Sequence, residues 1–119
     1  MPISSARFSA THRLLREDGF DHVVHAENIS DKYFRIFFVR GNKGNARLGI
    51  IASKKILPSA VRRNRAKRII RETFRQHNIK ACRLDLVVMV KHAYANERVA
   101  RGDNLKMLFS RVENRCAEL

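Results

Sequence analysis

SKKILPSAVRRNRAKRIIRETFRQH, residues 53–77, decides how the rest of the chain is read. Two lysines precede a break at Pro58-Ser59, which is a helix start signal with Ser59 as the N-cap. The spacing beyond it predicts an amphipathic helix. At about 100° per residue, Ala66, Ile69, Ile70, Thr73, Phe74 and His77 fall on one stripe. The other side collects Asn64, Arg68, Arg71 and Arg75, with Arg65 and Lys67 on its flanks. Seven arginines and lysines lie between Arg62 and Arg75, opposed only by Glu72. Arg62, Arg63 and Arg65 crowd the first turns, where the helix dipole favours acids. Like-charged neighbours such as Lys67/Arg71 and Arg71/Arg75 each cost about 0.2–0.5 kcal/mol. A polyanion lying along this face reverses the sign of every one of these terms. A face meant only for water usually mixes its charges, so this one reads as a binding surface.

Outward from that helix, the chain shows strands on both sides. Tyr33 to Arg40, YFRIFFVR, is aromatic, β-branched and of period two. One side carries Phe34, Ile36 and Phe38, the other Tyr33, Arg35, Phe37 and Val39. Both sides are apolar, so one covers the core and the other needs a separate explanation. Gly41 to Asn45 reads as a turn and Ala46 to Ser53 as the partner strand of a hairpin, with Gly49 marking a bulge or a close approach. Phe20 to His25 is expected to be a strand and Glu27 to Lys32 a polar turn. Leu84 to Lys91, LDLVVMVK, is a near-continuous apolar run that suits an interior strand. The last helix starts at Asp103 as N-cap and carries Leu105, Leu108, Phe109, Val112 and Cys116 at core-packing spacing. A short first helix is expected over Ser9 to Glu17.

The expected order is therefore α-β-β-β-α-β-α, an α+β fold in which three consecutive strands make a meander and the helices pack on one face. The 119 residues form one domain, 1–119, with a flexible arm over 1–8 and the folded part over 9–116. A net charge of +14 and a pI near 11.1 direct the chain to nucleic acid or anionic lipid. The apolar runs are far shorter than the roughly 20 residues a membrane span needs. No apolar signal segment opens the chain, and Cys82 and Cys116 read as reduced structural thiols, so a cytoplasmic location is expected.

Three functions fit such a chain. RNA binding without catalysis uses Tyr33, Arg35 and Phe37 to stack single-stranded bases and hold phosphates, with the basic helix as a second, separate surface. A self-sufficient small nuclease needs converging carboxylates or a histidine pair. Its nearest candidates are Asp18/Asp21 and the five histidines, none in a recognisable motif. A structural protein of ribosomal type shares the basic composition but usually carries longer basic tails.

The pattern Arg47-Leu48-Gly49, Ser53-Lys54-Lys55, then Arg63-Asn64-Arg65-Ala66-Lys67-Arg68 with Arg71-Glu72 resembles the protein subunit of bacterial ribonuclease P. Arg13-Leu14 with Phe20, and Asp85 to Lys91, extend the likeness over residues 7 to 116. The resemblance implies a two-layer α/β sandwich with a four-stranded mixed sheet and a left-handed strand-helix-strand crossover, against the usual hand. It implies an RNA-catalysed endoribonuclease that removes the 5′ leader of precursor transfer RNA, with Mg2+ held mainly by the RNA. Implied partners are the catalytic RNA and precursor transfer RNA, with no membrane, the protein being a monomer in the holoenzyme. Arg62, Arg63, Asn64, Arg65, Lys67, Arg68 and Arg71 are then the catalytic-RNA face, and no protein residue is catalytic. Phe8, Arg13, Phe20, Arg35, Phe37, Ser53, Lys54, Lys55 and Lys91 line the leader cleft. Val24 stands where many members carry an aromatic, and His92 where a lysine or arginine is frequent.

Overall fold

Strand alternation and helix spacing sort this chain into two layers. The computed structural model describes residues 23–41, 44–95 and 102–117. Its elements are β1 (Glu27–Ser30), β2 (Phe34–Arg40), β3 (Arg47–Ile51), α1 (Ala60–Gln76), a 3-10 turn (Asn78–Ala81), β4 (Leu84–Val90), α2 (His92–Ala95) and α3 (Gly102–Ala117). The expected helix over Ser9 to Glu17, and Phe8, Arg13 and Phe20, lie outside the described residues.

The four strands form one mixed sheet in the order β1-β2-β4-β3. β2 runs antiparallel to both β1 and β4, whereas β3 and β4 are parallel neighbours. The expected meander is thus corrected: β4 is inserted between β2 and β3, and the hairpin partner assigned to β2 pairs with β4 instead. The physical reason is that β4, buried along almost its whole length, removes most apolar surface from water in a central position with a paired strand on each side. Parallel neighbours need a crossover, and α1 is that crossover.

Two further expectations are corrected. Val23 and Val24 are helical and His25 lies in a turn, so Phe20 to His25 is not a strand over its described part. The strand is instead Glu27–Ser30, inside the segment read as a polar turn. It is an edge strand whose single apolar residue, Ile29, faces the core opposite Ile36. Asp103 stands in the first turn of α3 and does not cap it, since the helix begins at Gly102.

The core lies between the sheet and the helices α1 and α3. Phe34, Ile36 and Phe38 of β2 and Leu84, Leu86, Val88 and Val90 of β4 meet Ala66, Ile70 and Phe74 of α1 and Leu105, Leu108, Phe109 and Val112 of α3. Phe74 and Phe109 meet edge to face at 6.0 Å between ring centroids. Truncating such a ring costs about 3–5 kcal/mol. Burying one stripe of α1 in this way fixes which side of it faces outward.

Candidate nucleic-acid interface

α1 starts as its sequence requires. Ser59 accepts the Arg62 amide at 3.3 Å through its hydroxyl oxygen, and the buried residues are Ala66, Ile70, Thr73 and Phe74. His77 ends the helix, its backbone amide donating to the Phe74 carbonyl. With that stripe buried, the basic residues divide into two groups. The first-turn arginines serve the fold: Arg62 donates to the Ala95 carbonyl at 2.8 Å, and Arg63 to the Leu57 and Pro58 carbonyls at 3.0 and 2.9 Å. These acceptors are neutral, and neither guanidinium has an acid partner among the described residues. Farther along, Arg65, Lys67 and Arg68 make no hydrogen bond or ion pair among the described residues.

Glu72 is the sole acid on the helix. It pairs with Arg75 at 2.8 Å, and that hydrogen bond, with the charges of Arg75 and Arg68, holds its carboxyl below the usual range. The acid therefore stays ionised; it feels the charge of Arg68, but its ion pair is with Arg75, beyond the Arg65–Arg68 turn. Among the described residues, Val61, Asn64, Arg65 and Arg68 line a concavity open to solvent. Val61 is 70% exposed. The sequence reading missed it, although 61, 64, 65 and 68 follow the i, i+3, i+4, i+7 rule for one helix face. Arg71 is exposed on the same helix.

The second surface is the sheet face away from α1 and α3. Register places Arg35, Phe37 and Val39 of β2 beside Met89, Val87 and Asp85 of β4, and these beside Ile51, Gly49 and Arg47 of β3. Asn28 and Ser30 complete it from β1. Val23 and Val87 are fully buried there, with Val24, Phe37, Val39 and Ile51 partly covered. This accounts for the apolar residues on both sides of β2: one side packs against the helices, the other forms a small apolar patch around Phe37.

One end of this face is locked. Arg47 donates to both carboxylate oxygens of Asp85, each at 3.0 Å. The pair tightens the β3–β4 register, which is the role the structure gives the arginine of the Arg47-Leu48-Gly49 motif. Gly41 completes the lock, because a Cβ there would stand 2.9 Å from Asp85 Oδ1.

The other end gathers the remaining candidates. Arg35 and Ile51 both lie opposite Met89, and the chain leaves β3 there into Ser53, Lys54 and Lys55. Ser53 organises this turn: its hydroxyl accepts the Lys55 amide, and its carbonyl accepts the amides of Ile56 and Leu57. Lys54 and Lys55 are left exposed. Lys91 is less free than the sequence implied, since its ammonium donates to the Asp31 carbonyl at 2.7 Å. The Asp31 carboxylate in turn accepts the Tyr33 and Phe34 amides at 2.8 and 2.9 Å. Lys91 therefore clamps the β1–β2 turn with one of its three donors. Arg35 Nε is buried and has no hydrogen-bond partner among the described residues.

Among the described residues, no three of His, Cys, Asp and Glu come together to hold a metal ion. Asp85, Glu72 and Glu27 are committed to Arg47, Arg75 and Arg115. These residues do not fit a resident magnesium. His77 is likewise occupied, accepting the Ile79 amide at Nδ1 and meeting Ser110 Oγ through Nε2. Burial pushes the Cys82 thiol up to about 11, so it stays protonated. No helix among the described residues is long and apolar enough to cross a membrane. What the surfaces can do is bind: one offers phosphate-seeking cations, the other a ring and a buried donor.

Comparison with known proteins points the same way. A family model described as Ribonuclease P matches residues 8–113. The ribonuclease P protein component of Chromobacterium violaceum is 35% identical over 116 residues, covering 96% of this chain and 95% of its own. That of Legionella pneumophila strain Lens is 39% identical over 102 residues, covering 84% and 86%. Among solved structures, the RNase P protein of Thermotoga maritima superposes with a TM-score of 0.72 at 27% identity, over 87% of this chain and 96% of its own. A Staphylococcus aureus RNase P protein mutant with defective mRNA degradation activity gives 0.73 at 28% identity, over 87% and 89%.

Proposed function

This chain belongs to the ribonuclease P protein family, and from that premise we propose how its two surfaces divide the work. It is the protein component of an endoribonuclease that matures the 5′ end of transfer RNA. The outer face of α1, with Asn64, Arg65, Lys67, Arg68 and Arg71, docks on the catalytic RNA, while Arg62 and Arg63 hold the helix start and add charge. The sheet face receives the single-stranded 5′ leader of precursor transfer RNA. Phe37 stacks a base, Arg35 and Lys54 hold phosphates beside it, and Ser53, Lys55 and Lys91 shape the entry. Phe8, Arg13 and Phe20 belong to the same cleft by likeness to the family.

The phosphodiester chemistry, with its magnesium ions, belongs to the RNA; the protein's residues bind and position. The working site is the cytoplasm, and one copy of the chain serves each holoenzyme. The observation that carries this reading is the run of cations at Arg65, Lys67 and Arg68 that no described residue partners. A helix that served only its own fold would have neutralised such a run, because like charges in successive turns cost stability.

Reconstitution tests it. Added to a bacterial ribonuclease P RNA at low magnesium, the protein is expected to restore 5′ processing of precursor transfer RNA and to favour leader-bearing over mature substrate. Turnover by the protein alone, or no rescue of the RNA, would reject the reading.

A further inference from the structure

The concavity on α1 is not built for phosphate alone. Phosphate recognition needs cations and amide donors, and Arg65 and Arg68 supply the cations. Val61 and Asn64 supply something else. Val61 presents an apolar surface, 70% exposed, at the N-terminal end of a cationic face. That surface gains nothing from a phosphate oxygen and remains wetted unless an apolar or aromatic plane covers it. Asn64 brings a side-chain amide that both donates and accepts, the pattern that pairs with a nucleobase edge, adenine above all. The four residues lie at i, i+3, i+4 and i+7, so they share one face.

From these features we propose that the concavity is a nucleobase site. On the reading that α1 docks on the catalytic RNA, one unstacked nucleotide of that RNA seats its base against Val61. Asn64 pairs with the edge of the base, and Arg65 and Arg68 hold the phosphates that flank it. RNA sequence is read mainly at bases splayed out of the helix in this way. The helix face then contributes specificity as well as charge: phosphate contacts fix position and the base contact fixes identity.

The two kinds of interaction respond differently to salt. Removing one cation that neutralises a phosphate lowers the log–log salt slope by roughly 0.7–0.9, whereas removing a group that touches only a base leaves the slope alone. The experiment is equilibrium binding of the full chain to a bacterial ribonuclease P RNA across a salt series, paired with base-specific chemical probing of the RNA. Asn64→Ala is expected to weaken binding about tenfold at every salt concentration with an unchanged slope. It is also expected to expose one base that the unaltered protein protects. Val61→Thr, which keeps the shape and adds a hydroxyl, is expected to weaken binding about threefold, also without a slope change. Arg68→Ala serves as the contrast and should flatten the slope. Both Asn64 and Val61 are exposed, and an unchanged thermal midpoint checks that the variants fold.

Unchanged affinity for Asn64→Ala, or weaker binding that comes with a flatter slope and no newly reactive base, overturns the nucleobase site and leaves a phosphate-binding helix. Failure of the unaltered protein to bind the RNA at all overturns the functional reading itself.

Discussion

The outer face of α1 and the open face of the sheet are both basic, yet they hold their charge in opposite ways. On the sheet part of it is committed: Arg47 is closed by Asp85 and Lys91 gives one donor to the Asp31 carbonyl, while Lys54 and Lys55 stay exposed. On α1 it is offered: Arg65, Lys67 and Arg68 have no partner among the described residues. The sheet face therefore adds shape to charge, around Phe37 with Arg35 beside it, and salt should weaken it less than the helix face. The helix face recognises by charge, and salt should weaken it steeply. Counting arginines does not separate these cases, because Arg47 and Arg65 look alike in composition and differ only in what stands next to them.

The sharpest way to break this contrast is at the sheet lock. Asp85→Ala takes the carboxylate from the mostly buried Arg47 guanidinium and is expected to cost about 3 kcal/mol of stability. Chemical denaturation measures it, and the salt slope of RNA binding should stay as it was. A changed slope with full stability would mean that Arg47 faces RNA.

Phe37→Ala comes next. It should lower affinity for leader-bearing precursor by roughly 1–3 kcal/mol, equally at low and high salt. An equal reduction for mature transfer RNA would instead indicate a folding defect. Smaller in free energy, but most diagnostic, are Arg65→Ala and Arg68→Ala, each expected to reduce the log–log salt slope by about 0.7–0.9. Arg62→Ala and Arg63→Ala should act mainly on stability, through the backbone carbonyls they hold. If all four arginines shift the slope alike, the division within α1 is wrong.

The mildest effect is expected at His77. Burial lowers its pKa, helped by Lys106 and opposed by Glu113, and its Nδ1 accepts the Ile79 amide. The folded chain therefore takes up a proton less readily than the unfolded one. Stability from this group is complete above the ordinary histidine value of 6.5 and declines as pH falls through it. Thermal midpoints between about pH 7.5 and 5.5, compared with those of His77→Asn, check the sign.

The helix α1, with its Ser59 cap and most of its buried stripe, was legible in the sequence because spacing and capping chemistry are local. β2, β4 and most of α3 were legible for the same reason. What failed was non-local. Glu27–Ser30 reads as a turn because an edge strand of four residues needs only Ile29 to be apolar. The turn at Gly41 to Asn45 suggested a hairpin, and nothing in either strand says that β4 will come between them. At the site, the spacing puts Asn64 and Arg68 on one side with Arg65 on its flank, whereas the structure brings all three together with Val61, a residue the charge pattern does not mark. That Lys91 gives a donor to Asp31, and that Arg62 and Arg63 give theirs to carbonyls, depends on distant parts of the chain or on turn backbone whose course the sequence pattern did not fix.

The parallel pairing of β3 with β4 has a thermodynamic corollary. The stretch that joins those strands is the one that carries α1, so the sheet cannot close without bringing seven like charges into one rod. Mutual repulsion along that rod is a tax on the entire domain, and an anion that settles there lifts it. By mass action a ligand at about 100 times its dissociation constant adds about 2.7 kcal/mol to a fold that binds it only when native. Docking on RNA and completing the sheet are then one linked equilibrium, and the bare protein should melt at a lower temperature in dilute buffer than with its nucleic-acid scaffold.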